Sequence, residues 1–183
     1  MSGPQAAAAP SSAVTPADAP LATAPLYRRM MAFLYEGVLL FGILVATALA
    51  YGIAVQQTNA MQHRTGLIAV CFFVLGLYFI GTWTHGGQTL AMKTWHLRVL
   101  TDTGAPLTPR RALMRYVASW VWFVPPLAFA SAALPRSVAV YLGVPAAWIA
   151  LYAASALLHP RRQFWHDALC GTAIVVAPPI VRA

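Results

Sequence analysis

Apolar residues run along this chain in four long stretches, separated by shorter polar ones: 26–54, 65–83, 116–134 and 138–158. Each is close to the ~20 residues that cross a bilayer as a helix. Neither the alternation of a half-buried strand nor the two-faced pattern of a soluble helix dominates them. The third stretch carries Pro125-Pro126 in its middle, which predicts a kink. A re-entrant unit formed by stretches three and four is the alternative.

The segments between them are patterned differently. After Gly86-Gly87, residues 89–95 predict a short interfacial helix, with Leu90, Met92 and Trp95 on its apolar side and Lys93 toward headgroups. Residues 96–101 and 172–177 are short and rich in β-branched and apolar residues. An isolated strand would leave its backbone groups unpaired, so the two are expected to pair into a small cytoplasmic β-ribbon. Thr108-Pro109 reads as an N-cap followed by the first helical residue. Asp102, in Thr101-Asp102-Thr103-Gly104, reads as a turn residue. The predicted fold is an all-α membrane protein: a four-transmembrane-helix bundle with a short interfacial helix and the small ribbon.

Composition agrees. Of 183 residues, 60% are hydrophobic and 9% charged, against about 25% charged in soluble domains. Twelve basic residues outweigh four acidic ones. They are distributed by side. Arg28, Arg29, Lys93, Arg98, Arg110, Arg111, Arg115, Arg161, Arg162 and Arg182 fall on one side of the predicted bilayer, and Arg64 and Arg136 on the other. The positive-inside rule makes the first side cytoplasmic and puts both termini there. A bacterial inner-membrane location follows as the expectation. The excess charge is thus explained without nucleic acid, for which no basic patch interleaved with aromatics is present.

Residues 1–25 hold nine Ala and five Pro and no Lys or Arg, which predicts a disordered tail rather than a signal peptide. The transmembrane domain is expected over 26–177, with a second tail at 178–183. Cys71 and Cys170 belong to no CxxC, and no metal or cofactor is expected. His85, His96, His159 and His166 lack metal-ligand spacing. With no evident nucleophile or oxyanion donor either, an enzyme is not expected.

Three charged residues remain. Glu36 lies inside the first stretch, where a carboxylate costs a few kcal/mol unless it faces a partner or a wet cavity. Arg29 is seven residues earlier, nearly two turns, on the same helix face. Asp167 follows His166 near the second strand. It could cap a short helix by accepting from the backbone of Leu169 and Cys170. Ribbon pairing would bring it near Gly87, Gln88 and Lys93. Arg29, Glu36 and Asp167 are therefore expected to form one polar cluster, which is either a structural lock or an ion or proton site. Gln88, Thr89, Lys93, His166, Gly171 and Thr172 would support it.

These residues also carry a resemblance. Arg29 and Glu36, then His85-Gly86-Gly87-Gln88-Thr89-Leu90, then His166-Asp167-Ala168-Leu169-Cys170-Gly171-Thr172 resemble in order the motifs of the RDD family of integral membrane proteins. The likeness covers about 26–177. Glu36 stands where the family has its first aspartate, and Ala91 where it usually has glycine. The resemblance implies a membrane fold, and transport of ions such as Na⁺ and H⁺ or of small solutes. Four spans leave little room for a pore in one copy, so a transporter of this size is expected as a homo-oligomer. The alternative is a membrane module that positions a partner without transporting anything.

Overall fold

A computed structural model describes residues 23–56, 59, 63–132 and 137–177. The tails at 1–22 and 178–183, Arg136, Arg182 and the end of the third stretch lie outside the described residues.

The first helix, α1 (Leu26–Ala54), is nearly all apolar, yet it buries only Arg29, Ala32 and Glu36. Spacings of three and four residues put these on one stripe. The buried stripe of α1 thus carries its charged residues, with Phe33, Leu40 and Leu44 packed beside it, while Val38, Phe41, Leu49 and Ile53 point outward, as expected of a helix solvated by lipid. The second helix, α2 (Arg64–Gly86), buries Leu75, Gly76 and Trp83. Gly76 leaves room for the Tyr116 ring, which a Cβ there would meet at 3.2 Å. The Tyr116 hydroxyl donates to the Phe72 carbonyl at 2.6 Å, tying α2 to α4 (Pro109–Ser119). Helix α4 begins as the sequence implies, with Thr108 as N-cap and Pro109 in its first turn.

The third apolar stretch is not one continuous helix. It is built from α4, a 3-10 turn at Trp120–Trp122, and α5 (Val124–Ala132). Pro125 and Pro126 fall in the first turn of α5, where their missing N–H groups cost least. Pro125 still cannot donate to the carbonyl four residues back, that of Val121. Trp148 of α6 (Val138–Ser155) supplies the donor, its indole N–H reaching the Val121 oxygen at 2.9 Å. The break is therefore braced by the neighbouring helix, as membrane prolines require. Among the described residues, three helices are long and apolar enough to cross a membrane: α1, α2 and α6.

The ribbon forms. Strand β1 (Leu97–Thr101) pairs antiparallel with β2 (Thr172–Val176), Leu97 opposite Val176 and Thr101 opposite Thr172. Leu97, Val99 and Thr101 alternate inward. Both edges are occupied. On the β2 edge, Ala24 N–H donates to the Ile174 carbonyl at 2.9 Å, so residues 23–24, expected in the tail, run along the sheet. On the β1 edge, Val99 N–H donates to the Gly87 carbonyl at 2.7 Å. Gly87 closes α2 with φ +69°, and a Cβ there would lie 2.7 Å from the Val99 oxygen, so this close approach requires glycine. The short helix α3 (Leu90–Thr94) follows, and α7 (Trp165–Leu169) leads into β2.

Candidate functional site

Arg29, Glu36 and Asp167 do not bond directly to one another; each has its own partners. Glu36 accepts from the Tyr78 hydroxyl at 2.6 Å and from the Thr89 hydroxyl. Thr89 is also the N-cap of α3, accepting from Met92 N–H at 3.2 Å. One hydroxyl thus links the carboxylate of α1 to the start of α3. Arg29 turns away from Glu36. It donates to the Arg162 carbonyl at 2.7 Å and lies over the Phe164 ring at 4.4 Å.

Asp167 pairs with Arg115 of α4, Nε to Oδ1 at 2.9 Å, with both side chains 5% exposed or less. It is the third residue of α7, and its side chain makes no cap hydrogen bond; Phe164 occupies the N-cap position. The carboxylate is turned toward the buried guanidinium instead. Arg115 in turn lies 4.2 Å above the Trp83 ring, so a face of the cation that has lost water meets aromatic π density. His166 Nε2 lies 3.3 Å from Asp167 Oδ1, and its Nδ1 lies 2.9 Å from the Tyr152 hydroxyl. A neutral ring protonated on Nε2 satisfies both contacts.

The supporting residues separate into two groups. Gln88 donates to the Leu97 carbonyl at 2.6 Å, and the Thr172 hydroxyl to the Asp167 carbonyl at 3.1 Å, so both brace the ribbon. Gly171 (φ +60°) makes the turn between α7 and β2. Lys93 is exposed, away from the buried pair. Arg115, Tyr78 and Tyr152 were not singled out from the sequence as site residues. The signal for Arg115 was available: Ala112, Arg115 and Tyr116 form the buried stripe of α4, at helical spacing. Arg110 and Arg111 fall on its exposed side.

Between these groups lies a cavity of about 300 Å³. Arg29, Glu36, Arg115 and His166 line its polar side. Phe33, Leu40, Leu75 and Phe79 supply apolar wall. Its lining also includes Leu34, Gly37 and Phe123, which are exposed, so the cavity opens at the lipid-facing surface between α1 and the broken α4–α5 segment.

A model of the RDD family matches residues 23–171. The chain belongs to the RDD family. No curated protein and no solved structure matches it. In this RDD membrane protein Arg29 and Glu36 share the buried stripe of α1. The His-Asp-x-x-x-Gly-Thr motif builds α7 and its turn into the ribbon.

His166 has a measurable signature. Burial pushes its pKa below the ordinary histidine value; Asp167 opposes this, and Arg115 and Arg29 reinforce it. Below about pH 6.5 the unfolded chain then binds a proton that the folded chain refuses, so stability should fall as pH drops through that value. Melting temperatures of the wild type and His166→Gln between pH 8 and 5 check this. The wild-type loss on acidification should exceed that of the variant.

Proposed function

We propose that this protein binds and translocates a small solute through the cavity. The carrying observation is that Arg29, Glu36, Arg115 and His166 all lie in the wall of one mainly apolar cavity, whose mouth is among exposed apolar side chains. A cation or proton site at Glu36 is less well supported. Both of its oxygens already accept hydroxyl hydrogen bonds, and the Asp167 carboxylate is committed to Arg115. In this reading the braced α4–α5 segment completes a four-segment bundle in a bacterial inner membrane. The ribbon, both termini and ten of the twelve basic residues face the cytoplasm.

The test is flux into proteoliposomes of Na⁺, H⁺ and permanently charged small organic ions of both signs, with Glu36→Gln beside wild type. One organic solute should enter at least tenfold faster than into protein-free vesicles, and the variant should lose most of that rate. Movement of Na⁺ or H⁺ alone would replace this reading with cation exchange. No flux of any kind would favour a structural lock, in which Glu36–Thr89 and Arg115–Asp167 tie the helices to the ribbon.

A further inference from the structure

The cavity has polar residues in its wall, yet it offers a guest little that is polar. Its charges cancel: Arg29 and Glu36 are of opposite sign, and Arg115 is paired with Asp167. Its polar groups are already engaged inside the protein. Glu36 accepts from the Tyr78 and Thr89 hydroxyls, and Arg29 donates to the Arg162 carbonyl. Tyr116 donates to the Phe72 carbonyl and Ser119 to that of Tyr116, while His166 meets Tyr152 and Asp167. The indole N–H groups of Trp83 and Trp120 are covered by protein and do not reach the space. What remains facing it is mainly hydrocarbon and aromatic surface, with Phe33, Leu40, Leu75, Phe79 and Trp122 among the wall residues. An ordered water needs about two to four polar partners, whereas an apolar cavity of about 150 Å³ stays dry and binds benzene. This cavity, at about 300 Å³, has roughly twice that room.

The mouth identifies the source of a guest. Leu34, Gly37 and Phe123 line it and are exposed, and Phe41, one turn beyond Gly37 on α1, is exposed as well. With α1 entering the bilayer at Leu26, Gly37 lies about 16 Å further along the axis. That is the depth of hydrocarbon chains, in a core about 30 Å thick, and not of headgroups. We propose that the end of one hydrocarbon chain of a bilayer lipid enters the cavity sideways, past Gly37 between α1 and the α4–α5 break, and fills it at rest. The head stays outside at the membrane surface. The cavity is at the lower end of ligand-pocket volumes, so it holds a chain segment and not a whole lipid. Any solute that uses the cavity must displace this chain. The inference concerns the resting occupant and does not depend on transport.

The mouth also provides a clean variant. A Cβ at Gly37 would meet nothing within 4 Å, so Gly37→Leu narrows the opening without displacing protein, in a helix that tolerates leucine better than glycine. The full chain is placed in phosphatidylcholine nanodiscs in which some of the lipid carries a diazirine near the end of one chain. After irradiation, peptide mass spectrometry reads where the carbene has inserted. Phe41 and Phe73, exposed on the outer faces of α1 and α2, report ordinary lipid contact. Leu75 and Trp83, buried but lining the cavity, report entry. Insertion at Leu75 and Trp83 should be clear in the wild type and fall at least fivefold in Gly37→Leu, with Phe41 and Phe73 unchanged. Wild-type insertion at Phe41 and Phe73 alone would overturn the proposal. Undiminished insertion at Leu75 and Trp83 in Gly37→Leu would overturn entry by this mouth. A lipid with the diazirine on its head should label neither Leu75 nor Trp83, and labelling of both would overturn the chain as the occupant. Flux without interior labelling would remove this inference and leave the transport reading standing. Interior labelling without flux would do the reverse.

Discussion

Arg115→Ala should cost about 3–5 kcal/mol, because it leaves the Asp167 carboxylate buried and uncompensated. For a chain of this length that is a drop on the order of 10 °C in melting temperature. Asp167→Ala should cost a similar amount by stranding the Arg115 guanidinium. The informative comparison is the double variant Arg115→Met/Asp167→Leu. Replacing both charges with apolar groups of similar volume removes the desolvation cost along with the attraction, and such replacements are often neutral or stabilising. Thermal unfolding of the three variants, followed by tryptophan fluorescence, should show two large losses and one small change. Large losses in Arg115→Ala and in the double variant, with little loss in Asp167→Ala, would mean that the stacking of Arg115 on Trp83, rather than the charge pair, holds this region. The pair joins α4 to α7, and α7 leads directly into β2. Its loss should therefore loosen the ribbon before it loosens the lipid-facing helices.

Much of this architecture could be read from residue pattern. The apolar stretches lead to α1, α2 and α6 because a bilayer forces nearly any continuous apolar segment of that length to satisfy its backbone internally. The ribbon was legible because both segments are β-prone and neither could remain unpaired. Pro125-Pro126 marked the weak point of the third stretch. The extent of the break was not legible, since it depends on Trp148, 23 residues beyond Pro125, reaching the Val121 carbonyl. The site was legible in its members more than in its pairings. Glu36 and Asp167 stood out because an acidic residue in so apolar a chain demands a partner. Which partner it takes depends on how α4 crosses α7 and how α3 meets α1, and these are tertiary facts. Spacing along one helix points to Arg29 as the counterion of Glu36. Its reach is taken instead by the Arg162 carbonyl and the Phe164 ring, in a segment 133 to 135 positions later. Arg115 was counted as one more cytoplasmic charge, although it shares the inward stripe of α4.

Leu97→Ala is the second large effect expected. Leu97 is fully buried, begins β1, accepts from Gln88 through its carbonyl and forms part of the cavity lining. Its side chain therefore separates the ribbon from the cavity. Truncation removes its transfer free energy and merges new empty volume with an existing void that the surrounding strands cannot collapse to fill. Losses for buried leucine run about 2–5 kcal/mol, and the upper half is expected where collapse is blocked. Leu77→Ala is the control: that side chain is 77% exposed on the outer face of α2, where lipid replaces the lost contacts. Its cost should stay within about 0.5 kcal/mol. Melting curves of both in the same nanodiscs test the contrast. If Leu97→Ala melts like Leu77→Ala, the ribbon moves independently of the helices, and the Gly87–Val99 and Gln88–Leu97 bonds do not hold it against them. If it melts early while Leu77→Ala does not, the ribbon is a structural floor of the cavity, and the positions of Thr89 and Glu36 depend on it.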